Sequence, residues 1–191
     1  MRPYKQGGFD SKSTSHGLFH VDVKDYSLIP KEEDDMFYAI YRRANTLLQA
    51  GRTWMGRSRY PSAGNAFQKA INSLKNCRMS SFEQECQQTD LLIALLENLM
   101  VCFNKMRRSR CVCNAMKDLR LLTRNNPSWW ALCQEGRALE ALGKYHRARV
   151  SYIRALKKRP GEQRIKEEIT RISKRIGDLE ETKQMLSQLS I

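Results

Sequence analysis

The sequence predicts an all-α fold: three helix pairs stacked as a right-handed solenoid, followed by a long C-terminal capping helix and preceded by a short extended segment. Three observations carry this. One spacing of small and large apolar residues occurs three times along the chain. Proline, glycine and capping residues fall at the ends of long apolar-periodic runs. Near the end, Ile165, Ile169, Ile172 and Ile176 are separated by four, three and four residues, which is one stripe of a helix.

The repeated spacing is twelve, four and three. It joins Gly51, Ala63, Phe67 and Ala70, then Met100, Val112, Met116 and Leu119, then Gly136, Ala148, Tyr152 and Ala155. Trp54, Phe103 and Leu139 each lie three residues after the first register position, and Tyr60 and Tyr145 each lie nine after their glycine. Two antiparallel helices must approach closely, so small residues (Gly51, Ala63, Gly136, Ala148) suit the crossings. Large apolar residues (Trp54, Phe67, Phe103, Tyr152) suit the space between successive pairs. One pair cannot bury its own apolar face, and about three stacked repeats are needed for a continuous core. This pattern is identified as the tetratricopeptide repeat. The third copy, with Gly136, Leu142, Gly143, Tyr145, Ala148, Tyr152, Ala155 and Pro160, resembles the consensus best.

The elements follow from local chemistry. Pro30 and the acidic run Glu32–Asp35 suit the positive end of a helix dipole, and that helix is expected to run to about Gly56. Pro61 sits in the first turn of the next, which ends near Asn76. Ser80 or Ser81, followed by Glu83 and Glu85, opens a helix to about Met106. Ser109 starts the next, to about Arg124. Asn126 is expected as a cap with Pro127 at the first helical position, in a helix to Leu142. A helix over about His146 to Lys158 and a long one after Pro160-Gly161 complete the chain. The divisions are residues 1–30, a repeat domain at 31–160 (repeats at about 36–78, 81–124 and 127–160) and an amphipathic helix at 161–191. That last helix either solvates the open end of the solenoid or projects past Gly177 as an interaction helix. Ahead of the repeats, Met1–His16 reads as flexible. Phe19, Val21 and Val23 alternate as in a strand, though a lone strand has no sheet to join.

Charge narrows the partner. The formal net charge is +14, from 34 Lys and Arg against 20 Asp and Glu, and a field of that sign favours acidic peptides, nucleic acid or anionic surfaces. No apolar run approaches the ~18 residues of a membrane span, and no secretory h-region follows the polar start. The six cysteines are therefore expected as reduced thiols in a cytoplasmic protein. Cys111 and Cys113 lack a second pair at ligand spacing, and residues two apart on a helix do not face each other, so no metal or other cofactor is expected. His16, His20 and His146 stand near no nucleophile and acid set, and no phosphate-binding glycine loop is present. Neither an enzyme nor a small-molecule substrate is indicated.

Gly17-Leu-Phe-His-Val-Asp-Val-Lys-Asp-Tyr26, an acidic linker and three repeats together resemble the end of the FKBP-type immunophilins. There a terminal isomerase-domain strand leads directly into the repeats. The divergent repeats look closest to the germline immunophilins of the small-RNA (piRNA) pathway. An isomerase domain takes roughly a hundred residues, more than the stretch before Tyr26 holds, so the resemblance implies a non-catalytic co-chaperone or scaffold. It also implies a partner: the acidic C-terminal tail of the ninety-kilodalton heat-shock chaperone, which many such domains hold in a two-carboxylate clamp of Lys, Arg and Asn side chains. By register the five clamp positions are Leu48, Arg52, Asn98, Trp130 and Gln134, of which only Asn98 matches. A standard clamp is therefore not expected. Arg43, Arg52, Lys105 and Arg137 are the candidate substitutes, with Arg57, each equally readable as solvated surface. The alternative from the residues themselves is RNA binding, on the basic runs Arg107-Arg108 with Arg110, Lys157-Lys158-Arg159, and Arg171 with Lys174-Arg175. Against it, no regular polar code recurs from repeat to repeat.

Overall fold

The structure, a computed structural model, describes residues 31–189, with side chains from Asp35 to Glu181. The expected N-terminal flexible segment and strand lie outside the described residues. Among these residues the chain forms seven helices: α1 (Lys31–Gly56), α2 (Tyr60–Lys75), α3 (Phe82–Lys105), α4 (Ser109–Leu122), α5 (Trp129–Ala141), α6 (Tyr145–Lys158) and α7 (Gln163–Leu189). Each packs on the next, and α1 also meets α3 as α3 meets α5. The odd-numbered helices thus form one row and the even-numbered helices another, as stacked pairs require.

The repeated register is the set of contacts that holds each pair together. A Cβ placed on Gly51 would lie 2.2 Å from the Phe67 ring, and one on Gly136 would lie 2.7 Å from the Tyr152 ring. Both rings are fully buried. The ring of the second helix occupies the volume a side chain on the first would need, which is why glycine stands there. In the middle pair the same two positions hold Met100 and Met116, both fully buried, and two flexible thioether chains replace the glycine-and-ring arrangement. One continuous core runs from Ala44 and Leu48 in α1 to Ile172 and Ile176 in α7.

The turn inside each pair also repeats. Ser58, Arg107 and Gly143 all have left-handed backbones, with φ of 58°, 57° and 72°. Each lies seven residues after the first register position. In each turn the following amide donates back to the helix, Arg59 to Trp54, Arg108 to Phe103 and Lys144 to Leu139, at 2.8–2.9 Å. These are helix C-caps of the Schellman type, which satisfy otherwise unpaired carbonyls. Only the third uses the residue that adopts this conformation without steric cost, so only the third was visible as punctuation in the sequence.

Most helix starts agree with the sequence reading. Pro61 falls in the first turn of α2. Ser81 caps α3 by accepting from the Gln84 amide, while Gln84 Oε1 accepts from the Ser80 amide at 2.8 Å. The start of α5 differs: its cap is Ser128, whose Oγ accepts from the Ala131 amide at 3.1 Å, rather than Asn126. Pro127 therefore precedes the helix instead of opening it. The serine hydroxyl also donates to Glu97 Oε1 at 2.5 Å, a second bond tying this cap to α3.

Polar ties fix neighbouring helices. Gln88 Nε2 donates to the Leu74 carbonyl at 2.6 Å, satisfying the end of α2 from α3. Arg120 in α4 donates to both oxygens of Glu135 in α5 at 2.8 Å, and Ser151 in α6 donates to the same carboxylate at 3.0 Å. Helix α7 runs without a break through Gly177. It buries Ile165, Ile172 and Ile176 in the core, and its Arg171 pairs with Glu140 of α5 and with Glu168.

Replacing Gly136 with Ala gains up to about 1 kcal/mol of helix propensity but drives a methyl into a buried ring, an overpacking cost of about 1–3 kcal/mol. Urea denaturation should show net destabilisation, relieved when Tyr152→Leu is added. Conversely, Ser58→Gly removes a left-handed strain of roughly 1–2 kcal/mol, partly offset by glycine's unfolded-state entropy. It should raise stability by about 0.5 kcal/mol in the same assay.

Candidate functional site

A cavity of about 1190 Å³ opens between the C-terminal end of α3, the length of α5 and the start of α7. Its position follows from the fold. The odd-numbered helices α1, α3 and α5 form one row, and α7 packs on α6 and reaches α5 through the Arg171–Glu140 and Arg137–Glu168 pairs. Trp129 and Trp130, the first residues of α5, form one wall, meeting edge to face with ring centres 5.6 Å apart. The Arg159 guanidinium lies 4.6 Å from the Trp129 ring, covering its face by a cation–π contact. Trp130 stays 38% exposed, which leaves part of its indole open to contact with a ligand.

The floor is polar and rigidly held. Asn104 Nδ2 donates to both the backbone carbonyl and Oε1 of Gln134, each at 2.9 Å. This pins α3 to α5 and sets which way the Gln134 amide points. Its Nε2 then has no hydrogen-bond partner, although Gln134 is only 1% exposed. The hydroxyl of fully buried Tyr152, which also lines the cavity, has none either. A buried donor left unpaired costs about 1–3 kcal/mol, and native interiors hold few of them. Burial, with Glu168 and Glu140 nearby, pushes the Tyr152 hydroxyl well above its usual range, so it remains a protonated donor at neutral pH.

The cavity is electropositive. Lys105, Arg107, Arg137, Arg159 and Arg164 line it against only Glu162 and Glu168. Both acids already face cations, Glu168 at 4.0 Å from Arg137 and Glu162 at 3.4 Å from Arg159. Lys105, Arg107 and Arg164 have no ion pair among the described residues. The chemistry this arrangement offers is capture of acceptor oxygens and negative charge beside an apolar surface. Among the described residues, no three His, Cys, Asp or Glu side chains gather as metal ligands. No helix there is long and apolar enough to cross a membrane.

The residues singled out in the sequence divide into two sets. Lys105, Trp130, Gln134 and Arg137 line the cavity together. Leu48, Arg52, Asn98 and Arg43 do not. Arg43 and Arg52 are exposed on α1. Asn98 on α3 donates to the Ala94 carbonyl of its own helix at 2.7 Å. Leu48 is 4% exposed and packs in the core, so it cannot serve as a groove contact. An aliphatic residue at a position that otherwise carries a lysine sinks into the helix interface instead of facing solvent. Gln134 lies deeper than a clamp cation would, on the floor rather than the rim. The sequence reading missed Asn104, Trp129 and Arg164, and it named Arg107 and Arg159 only as members of basic runs. Trp129 and Asn104 could have been found by extending the register, to one residue before Trp130 and four after Met100. Arg159 and Arg164 needed the docking of α7.

The fold is shared with solved structures of known families. The C-terminal tetratricopeptide-containing domain of a Plasmodium falciparum FK506-binding protein superposes with a TM-score of 0.68 at 15% identity, over 82% of this chain and 99% of that one. The first such domain of human RPAP3 gives 0.57 at 19%, over 74% and 98%. The first such domain of Spaghetti, solved with the HSP90 peptide SRMEEVD, gives 0.58 at 18%, over 71% and 94%. The chain has the fold of a tetratricopeptide-repeat domain. No protein-family model matches it. In sequence it is similar to the inactive peptidyl-prolyl cis-trans isomerase shutdown of Drosophila melanogaster, 42% identical over 205 residues. Shutdown of Bombyx mori is 27% identical over 150. These matches cover 95% and 75% of the chain but only 45% and 34% of the relatives, so the chain spans less than half the length of each. The resemblance to the repeat region of immunophilins, read from the residues, therefore holds, and both relatives are named as inactive isomerases.

Burial pushes the Cys102 and Cys133 thiols up to about 11, whereas Cys86 is exposed. Since the thiolate is the reactive form, a colorimetric thiol reagent at pH 8 should label Cys86 at once. Cys102 and Cys133 should be labelled only when urea unfolds the stack, or slowly as the pH rises towards their raised values.

Proposed function

We propose that this chain is a non-catalytic scaffold or co-chaperone module whose groove holds an acidic segment of a partner protein. The observation that supports this most is the cavity between α3, α5 and α7, where five cations outnumber two paired acids beside an exposed tryptophan. A protein of the same fold, Spaghetti, was solved holding an acidic peptide of HSP90. The acidic tail of that chaperone is accordingly a partner to test, held here without the usual two-carboxylate clamp. On the resemblance to germline immunophilins, the setting we propose is the small-RNA (piRNA) pathway, in the cytoplasm.

A second reading has one observation in its favour. Helix α6 carries exposed Arg147, Arg149, Arg154, Lys157 and Lys158 and no acidic residue between Tyr145 and Lys158. Such a face attracts phosphate backbones without reading bases.

One experiment separates the two. The tagged chain is used to capture partners from native tissue, with and without nuclease, beside the charge-reversed variant Lys105→Glu/Arg137→Glu. A groove-bound protein partner should persist through nuclease and fall by at least about tenfold with the variant, as expected where charge-assisted contacts are lost. Partners that vanish with nuclease and ignore the variant would replace the groove reading with the RNA one.

A further inference from the structure

We infer that the cavity between α3, α5 and α7 is the anchoring subsite of the groove. It takes an internal Asp or Glu of a peptide together with a neighbouring apolar side chain, and does not require a free C-terminal carboxylate. This inference rests on the groove reading above and names the ligand chemistry of that site.

The argument begins with what each end of the groove can offer. At the α1 end, the clamp positions offer little. Leu48 is buried in the core, and one N–H of the Asn98 amide is already given to the Ala94 carbonyl of its own helix. Arg52 alone remains exposed. A single flexible cation cannot chelate the paired carboxylates of a peptide terminus, which need converging donors. At the α5–α7 end the reverse holds. Gln134 Nε2 and the Tyr152 hydroxyl are buried donors without partners. The Asn104 bond to Gln134 Oε1 fixes the amide so that its nitrogen, not its oxygen, is left to give. The amide nitrogen can only donate, and the phenolic hydroxyl can donate as well as accept, so an acceptor oxygen satisfies either. Lys105, Arg107 and Arg164 add uncompensated positive charge around them. A carboxylate side chain satisfies donors and charge together, whereas a neutral amide would satisfy only part.

The apolar half of the ligand follows from the wall. Trp130 is 38% exposed at the cavity, with Ile165 and Cys133 also lining it. A residue next to the acid in an extended segment reaches the opposite side of the strand, so acid and apolar groups find separate surfaces. The volume, about 1190 Å³, exceeds the roughly 300–1,000 Å³ typical of small-molecule clefts and suits several peptide residues. Because the donors sit on α5 and α6, in an open cleft flanked by α3 and α7 and not at the end of a closed tunnel, the peptide can continue in both directions.

Calorimetry with three versions of one probe tests this: the peptide SRMEEVD as the free acid, the same peptide amidated at its C terminus, and the amidated peptide with both Glu changed to Gln. Amidation should change Kd by less than about threefold, and the Gln version should weaken binding by at least about tenfold. Lys105→Glu, an exposed change, and Gln134→Leu should each weaken binding about tenfold or more, with circular dichroism confirming the fold. Arg52→Ala and Asn98→Ala should change it by less than about twofold. The side-chain amide signal of Gln134 should also shift in heteronuclear NMR spectra when the amidated peptide is added, which a merely structural glutamine would not do. Binding abolished by amidation, with the Gln134 signal unmoved, would overturn the subsite while leaving the groove as a carboxylate-terminus binder. Failure of all three probes to bind would overturn the acidic ligand class, and the nuclease-resistant capture would then decide the groove reading by itself.

Discussion

The structure depends on one steric arrangement, a buried ring of an even-numbered helix lying in the space that a missing side chain leaves on its odd-numbered partner. Phe67 over Gly51 and Tyr152 over Gly136 set how closely two helices approach. That distance decides where the next pair can pack, and therefore the spacing of α1, α3 and α5 along their row. The cavity is tied to the same contact, since Tyr152 both locks α6 to α5 and lines the cavity. Packing and function meet in one residue, so the site is as rigid as the core beneath it.

Electrostatics then distributes what packing has placed. The chain has few acids, and several are consumed in joining helices: Glu135 holds Arg120 and Ser151, Glu140 and Glu168 hold Arg171, and Glu97 receives the α5 cap. The excess positive charge is left where cations outnumber acids, notably around the cavity, with five cations to two acids, and along α6, which carries no acid of its own. Ion pairs between exposed groups contribute little to stability. The bidentate pair of Arg120 with the buried Glu135 is a different case, because removing the arginine would strand a carboxylate away from water.

Much of this was legible from spacing alone. The twelve-four-three register located every helix pair, because the positions that must be small or large are dictated by close approach and are the same in each copy. Depth was less legible. The register says that Leu48 and Gln134 are on the odd-numbered row, but whether a side chain faces the groove or sinks between helices depends on its neighbours across two interfaces. Leu48 sank because it is apolar, and Gln134 because Asn104 reached over to hold it. Turns were legible only where glycine marked them. Ser58 and Arg107 adopt the same left-handed backbone as Gly143 with no compositional sign of it, because the helix-ending hydrogen bonds are made by the main chain, whose pattern the side chains do not disclose. The cap of α5 was misplaced by two residues for a related reason: Asn126 and Ser128 are both good caps, and the choice was settled by Glu97, far away in sequence.

The middle pair differs from its neighbours in one respect whose effect is mechanical. Where the outer pairs wedge an aromatic plate against glycine, this one places two methionines, chains with several rotatable bonds and a polarisable sulfur. An aromatic plate transmits a push, whereas a thioether chain yields to it by changing rotamer. A stacked array flexes first at its most compliant joint, and here that joint is the crossing of α3 and α4, next to the wall that α3 contributes to the cavity. The outer pairs are therefore braced by rigid rings and the central pair by side chains that can repack, which makes the α3–α4 crossing the place in the core most tolerant of a change in side-chain shape.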